Sequence, residues 1–169
     1  VDDIESAILR KQYAYGVFLD ISGAFDNVDC TETVNVMYKR NIPNTIVRWY
    51  ANYLTNRLAT TEIKNTKVTR ALTKGVPQGG ILSPMIWNLV FDELLCKFDR
   101  GPVRIRGFAD DACLLIKGPD PNTLISSMSN YIVRALDWSH RFRLEFNSNK
   151  TEAMLFHNCR LKSKLQIGR

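Results

Sequence analysis

Three aspartates carry most of the chemistry this sequence can do. Asp20 closes an apolar run, Tyr15-Gly-Val-Phe-Leu19, and Asp110 and Asp111 stand side by side much later in the chain. A lone carboxylate at the end of a buried strand is costly unless a cation or hydrogen-bond donors meet it. Magnesium takes oxygen ligands and keeps several waters, which suits a set of aspartates without histidine or cysteine. Two divalent ions about 3.5–4 Å apart, bridged by carboxylates on rigid neighbouring strands, clamp the attacking and leaving oxygens of a phosphoryl transfer. As scaffold alone, three clustered carboxylates repel one another, whereas bound cations reverse that balance. Taken singly the residues have plainer readings: Asp20 as a solvated strand end or Asx turn, and the Asp110–Asp111 pair as a turn of the kind where aspartate is common.

A second chemical feature is Gly75-Val-Pro-Gln-Gly-Gly80, which interrupts the chain immediately before a helical stretch. Glycines there free backbone N–H groups and let a ligand approach the main chain closely. No Gly-Lys-Ser/Thr follows, so this is not a P-loop, and an ordinary connection is the alternative. Cys30, Cys96, Cys113 and Cys159 form no C-x-x-C pair, and His140 and His157 complete no zinc pattern. The thiols read as reduced, with two or three of them buried.

The elements that must position these groups follow from periodicity. Ile4, Ala7 and Ile8 predict a helix over residues 4–12, and the run 15–19 predicts a buried strand ending on Asp20. Helices over 31–40 and 44–56 follow, divided by Ile42-Pro43, the second presenting Ile46, Val47, Tyr50 and Leu54 along one side. Two β-prone stretches, 60–63 and 67–71, make an antiparallel hairpin around Asn65. Over 81–98, Ile86, Leu89, Val90, Leu94, Leu95 and Phe98 keep the helical period, while Asp92, Glu93 and Lys97 fall between them. Strands over 103–108 and 112–116 flank Asp110 and Asp111, whose tight turn presents both at one edge. A long helix over 123–142 opens on Asn122 or Thr123 with Ile125, Met128, Ile132 and Leu136 as its stripe. Leu144 and Phe146, then residues 153–156, supply later strands. This order has no regular βαβ alternation, so the expected class is α+β, an antiparallel sheet with helices packed on one face.

With 169 residues, 45% of them hydrophobic, one domain with a real core is expected. Lys and Arg outnumber Asp and Glu by 23 to 17, and the net charge of +6 suits a polyanionic partner. The basic residues are spread along the chain; the tightest cluster, three in residues 160–164, is solvated surface or a phosphate contact. No apolar stretch reaches the roughly 18–20 residues of a membrane helix. Asp2, Asp3 and Glu5 do not suit a secretory signal, so an intracellular protein of nucleus or cytoplasm, with no membrane partner, is expected.

Three strings occur in one order: Asp20-Ile-Ser-Gly-Ala-Phe25-Asp26-Asn-Val28, then Gly75-Val-Pro-Gln-Gly79-Gly-Ile-Leu-Ser-Pro84, then Phe108-Ala-Asp-Asp111. They resemble motifs A, B and C of reverse transcriptases, in wording similar to that of retrotransposons without long terminal repeats. Tyr53-Leu-Thr-Asn-Arg57, Asn88 and Asn147-Ser-Asn-Lys150-Thr151 add to the resemblance, which covers about residues 13–156. It implies the palm of a right-hand polymerase over residues 1–169, partial, with elements of the fingers around 57–74. Most of the fingers and the thumb are expected outside these residues, since only 19 precede Asp20 and residues 165–169 resemble the start of the strand toward the primer grip.

The resemblance also implies an activity: template-directed transfer of deoxynucleotides to a primer 3′-hydroxyl, with an RNA template, a DNA primer and deoxynucleoside triphosphates as partners. Two Mg2+ ions, replaceable by Mn2+, would be the cofactors. Asp20 and Asp110 would be the main shared ligands and Asp111 the less direct one. Phe25 matches the aromatic position that would collide with a 2′-hydroxyl, and otherwise reads as a core aromatic. Gln78 and Gly79 match residues near the nucleotide sugar and the templating base. Lys150 matches a lysine that could protonate departing pyrophosphate, and otherwise reads as solvated surface. An inactive or domesticated nucleic-acid-binding remnant, or another two-metal nucleotidyltransferase such as an RNA-directed RNA polymerase, would carry the same signature.

Overall fold

The computed structural model describes residues 2–158 and the backbone of residues 164–165. Cys159 and the side chains of the basic cluster at 160–164 lie outside the described residues. Along the chain run α1 (Asp2–Leu9), β1 (Tyr13–Asp20), α2 (Ala24–Asn27), α3 (Cys30–Lys39), α4 (Asn44–Leu54), β2 (Arg57–Ile63) and β3 (Thr66–Leu72). Then come α5 (Ser83–Cys96), β4 (Arg104–Phe108), β5 (Asp111–Gly118), α6 (Pro121–Arg141), β6 (Glu152–Phe156) and β7 (Lys164–Leu165). These gather into two compact units: one holds the chain up to Ser22, Glu93–His140 and the chain from Glu145 on, the other Gly23–Asp92 and Arg141–Leu144.

The first unit is built on a five-stranded antiparallel sheet of order β4-β5-β1-β6-β7. Strand periodicity divides β1 into two faces. Tyr15, Val17 and Leu19 are buried, as are their ladder partners Ile116, Leu114 and Ala112. Phe18 and Asp20, with partners Cys113 and Asp111, point to the other, more open face. Helix α6 covers the buried face, and a Cβ on Gly118 would come within 3.0 Å of Leu124. Its inward stripe is Leu124, Met128, Ala135 and Trp138, each worth up to about 1.5–3 kcal/mol where a large apolar side chain is fully buried. Ile125 and Leu136, expected inside, are more than a third exposed, because their neighbours Leu124 and Ala135 are the residues buried in their place. The helix also begins earlier than expected: Asp120 accepts from the Thr123 N–H at 2.7 Å, and Pro121 takes the first helical position. The strand expected at Leu144 and Phe146 is a single bridge, Ile21 to Phe146.

In the second unit Asp29 caps α3, accepting from the Glu32 N–H at 2.9 Å. Helix α4 buries Val47, Tyr50 and Leu54, while Ile46, expected beside them, is half exposed. Strands β2 and β3 form a separate hairpin whose loop residues Lys64 and Asn65 both take positive φ, as a type I′ turn requires. The first part of α5 buries Ile86, Trp87, Val90 and Phe91. Further along the same helix, where the first unit resumes, Glu93, placed between the apolar positions by periodicity, is itself buried, 6% exposed. Of the cysteines among the described residues, Cys30 and Cys113 are half-buried and Cys96 is exposed, so the two or three buried thiols expected are not found there.

Candidate active site

Asp20 is the last residue of β1, and its ladder partner in β5 is Asp111. Directly opposed residues of an antiparallel pair share a face, so the two carboxylates stand side by side at the end of the sheet. The chain beyond is anchored: the Asn147 N–H donates to the Asp20 carbonyl at 2.8 Å, and the Ser22 N–H to the Glu145 carbonyl at 2.9 Å. Strand β4 pairs Phe108 with Asp111, which leaves Ala109 and Asp110 as a two-residue turn. Ala109 has φ 54°, where glycine or asparagine is the usual occupant, so local preference gives way to what the turn must present.

Lys150 Nζ lies 3.2 Å from Asp20 Oδ1. The Asn147-Ser-Asn-Lys150 turn that carries it folds on itself, with the Asn147 carbonyl accepting from the N–H groups of Lys150 at 3.1 Å and Thr151 at 2.9 Å. Asp20 and Lys150 help to line an open depression of about 550 Å³ whose walls also include Phe18, Arg106, Phe108 and Asp111. Asp110, half-buried in the turn, is not part of that wall. Among the described residues no three of His, Cys, Asp and Glu are arranged to hold a metal ion. What the register gathers is two opposed carboxylates, Asp20 and Asp111, with Asp110 adjacent to Asp111 in sequence, and oxygen donors are the kind a hard divalent cation prefers. Burial pushes the Cys113 thiol up, so the one sulfur in the wall stays protonated at neutral pH. Arg106 and Glu152 escaped the motif reading; the alternation Arg104-Ile-Arg106 was the signal for the arginine, and in β4 only Ile105 is buried.

The remaining expected site residues meet in the second unit. Phe25 sits in the short helix α2, its ring centroid 6.0 Å from that of buried Trp87. With Gln78, Gly79, Gly80, Ser83 and Pro84 it lines a concavity of about 490 Å³. The loop that carries Gln78 is held by main-chain hydrogen bonds, Gly75 N–H to the Val28 carbonyl and Val76 N–H to the Phe25 carbonyl, both 2.8 Å. Arg57 secures the same loop, donating to the carbonyls of Leu54 at 3.0 Å, Lys74 at 3.1 Å and Gly75 at 2.7 Å. Gln78 Nε2 donates to Asp26 Oδ1 at 2.9 Å.

Among solved structures, telomerase from Candida tropicalis in complex with a fragment of telomeric RNA matches 96% of this chain and 29% of its own at TM-score 0.74 and 11% identity. Apo telomerase from the same organism matches 95% of this chain and 35% of its own at TM-score 0.67 and 11% identity. The mixed helical and antiparallel architecture is that of a right-hand polymerase, as the expected fold class holds. The family model described as reverse transcriptase (RNA-dependent DNA polymerase) matches residues 2–166, and the chain belongs to that family of nucleotidyltransferases. It is 26% identical over 160 residues to the RNA-directed DNA polymerase from mobile element jockey of Drosophila melanogaster, covering 90% of this chain and 17% of that protein. To the Pol polyprotein of retrotransposable element R2 from Popillia japonica it is 30% identical over 118 residues, 63% of this chain and 16% of that protein. The retrotransposon resemblance is thus borne out, and the chain spans about a sixth of the length of these relatives.

Proposed function

We propose that these residues are the palm of an RNA-directed DNA polymerase that extends a primer 3′-hydroxyl with deoxynucleotides along an RNA template, within a longer retrotransposon polypeptide. The observation that carries the reading is the register setting Asp20 opposite Asp111, one residue from Asp110. Asp20, Asp110 and Asp111 would hold two Mg2+ ions, with Mn2+ as a substitute, and such ions supply a more acidic primer hydroxyl and charge neutralisation for pyrophosphate. Lys150 balances the Asp20 carboxylate and keeps its ammonium group within the depression, from which a proton can pass to a leaving phosphate. Phe25, backed by Trp87, supplies a wall against a sugar 2′-hydroxyl, and Gln78 and Gly79 offer side-chain and main-chain contacts to the nucleotide.

Primer extension by a full-length polypeptide containing this chain tests the proposal. Asp20→Asn, Asp110→Asn and Asp111→Asn are each expected to lower extension by about a hundredfold or more, since even the outer neighbours of metal ligands cost about 10–100-fold. Unfolding midpoints should stay close to that of the unaltered protein. Wild-type extension by Asp110→Asn would remove the mechanism. RNA binding without extension in the unaltered polypeptide would favour a nucleic-acid-binding remnant, and equal use of ribonucleotides would favour an RNA polymerase.

A further inference from the structure

Asp26 meets the loop that carries Gln78 at two points. A Cβ on Gly75 would fall 2.5 Å from the Asp26 backbone oxygen, and the Asp26 carboxylate accepts from Gln78 Nε2 at 2.9 Å. Around those points the loop has little freedom. Besides the bonds from Gly75 and Val76, the Gly80 N–H donates to the Pro77 carbonyl at 3.0 Å and Ser83 Oγ donates to the same oxygen at 2.5 Å. Arg57 holds the entry to the loop through two carbonyls, those of Lys74 and Gly75. On so fixed a backbone, the direction of the Gln78 amide is set by its side-chain partner. An ionised carboxylate can only accept, so it takes the NH2 end of the amide and leaves the carbonyl oxygen for whatever enters the concavity.

We propose that Asp26 is a positioning residue that makes Gln78 a hydrogen-bond acceptor for a donor on the incoming nucleotide. The donors a deoxynucleotide can bring are its sugar 3′-hydroxyl and the amine or imino groups of its base. The inference rests on the polymerase reading and adds to it the polarity of one contact and the residue that sets it. A neutral asparagine in place of Asp26 could offer either end of its own amide, so Gln78 would be free to turn over.

The experiment compares Asp26→Asn with the unaltered full-length polypeptide in primer extension. Asp26→Asn is expected to raise KM for deoxynucleotides about fivefold, the worth of one net hydrogen bond, with kcat little changed. If the donor is the sugar hydroxyl, the preference for deoxynucleotides over 2′,3′-dideoxynucleotides shrinks by a similar factor. If it is a base amine, the preference for dGTP over dITP shrinks instead. Exchanging the pair, Asp26→Asn with Gln78→Glu, lets the new amide donate to the new carboxylate and should return KM most of the way. Asp26→Asn with unchanged KM and both preferences intact overturns the inference. So does a parallel loss of kcat and thermal stability with both preferences intact, which marks a purely structural role. An unaltered polypeptide that extends no primer instead sinks the polymerase reading beneath it.

Discussion

A phenyl ring can act as a steric gate only if something keeps it from swinging aside. Phe25 is half-buried, and its neighbour Trp87 is 1% exposed and stacked in turn on Phe91 at 5.6 Å, so the ring rests on packed aromatics rather than on mobile surface. Substituting Phe25→Val opens the wall while leaving Trp87 in place. Ribonucleotide use relative to deoxynucleotide use is expected to rise about tenfold or more, because a pocket that rejects a group by size yields when the bulk is removed. Competition between the two nucleotides in primer extension measures it, and an unchanged ratio would return Phe25 to the role of an ordinary core aromatic. The sequence marked Phe25 by its place in a motif but could not show its backing. Trp87 and Phe91 have a short i, i+4 spacing that the helical stripe of Ile86, Val90 and Leu94 obscured, since this part of α5 is buried over more than one side.

At the scale of elements, two glycines of one loop predict different outcomes. Gly75 and Gly79 both have φ 80°, but a Cβ at Gly75 meets the Asp26 backbone at 2.5 Å, whereas nothing lies within 4 Å at Gly79. Gly79→Ala should therefore cost only the left-handed strain, about 1 kcal/mol, and Gly75→Ala about 2 kcal/mol or more because backbone must also move. Urea unfolding of the two variants gives the comparison, and equal midpoints would contradict the clash. Helix α1 is tied to β5 by Lys117 Nζ at 2.8 Å from Asp3 Oδ1, and that hydrogen bond holds the Asp3 carboxyl below its usual 3.8. A depressed carboxylate contributes stability above its unfolded pKa and loses it as the pH falls through the folded value, so this tie fades below about pH 4. Both groups are about a third exposed, which limits the effect to well under 1 kcal/mol; Asp3→Asn should flatten that part of the acid limb of a stability–pH curve. Elements with local signals were legible: the strand ending on Asp20, the hairpin around Asn65 and the tight turn at Asp110. The pairing of Asp20 with Asp111 was not, because it joins strands separated by most of the chain, and no local pattern fixes that register.

For the molecule as a whole, charge is distributed less evenly than the composition suggests. Residues 44–74 hold six lysines and arginines against one acid, Glu62, and so account for +5 of the net charge of +6. The hairpin within that segment is exposed along nearly its whole length, with Arg70 on the same face as Ile63, Val68 and Leu72. Phosphates neutralised by such residues release counterions, and for single strands the slope of log affinity against log salt is about −0.7 per contact. An RNA template that lies along this segment therefore predicts a specific change. Replacing Arg48 and Arg70 together by alanine should make the slope for a single-stranded RNA shallower by about 1.4, if each meets one phosphate. Lys117, held by Asp3 at 2.8 Å, serves as the contrast, and Lys117→Ala should leave the slope as it was. Fluorescence titrations over a series of salt concentrations read both. Equal slopes in all three proteins would mean that RNA is held elsewhere, and that the basic segment and its exposed apolar residues face another part of the longer polypeptide instead.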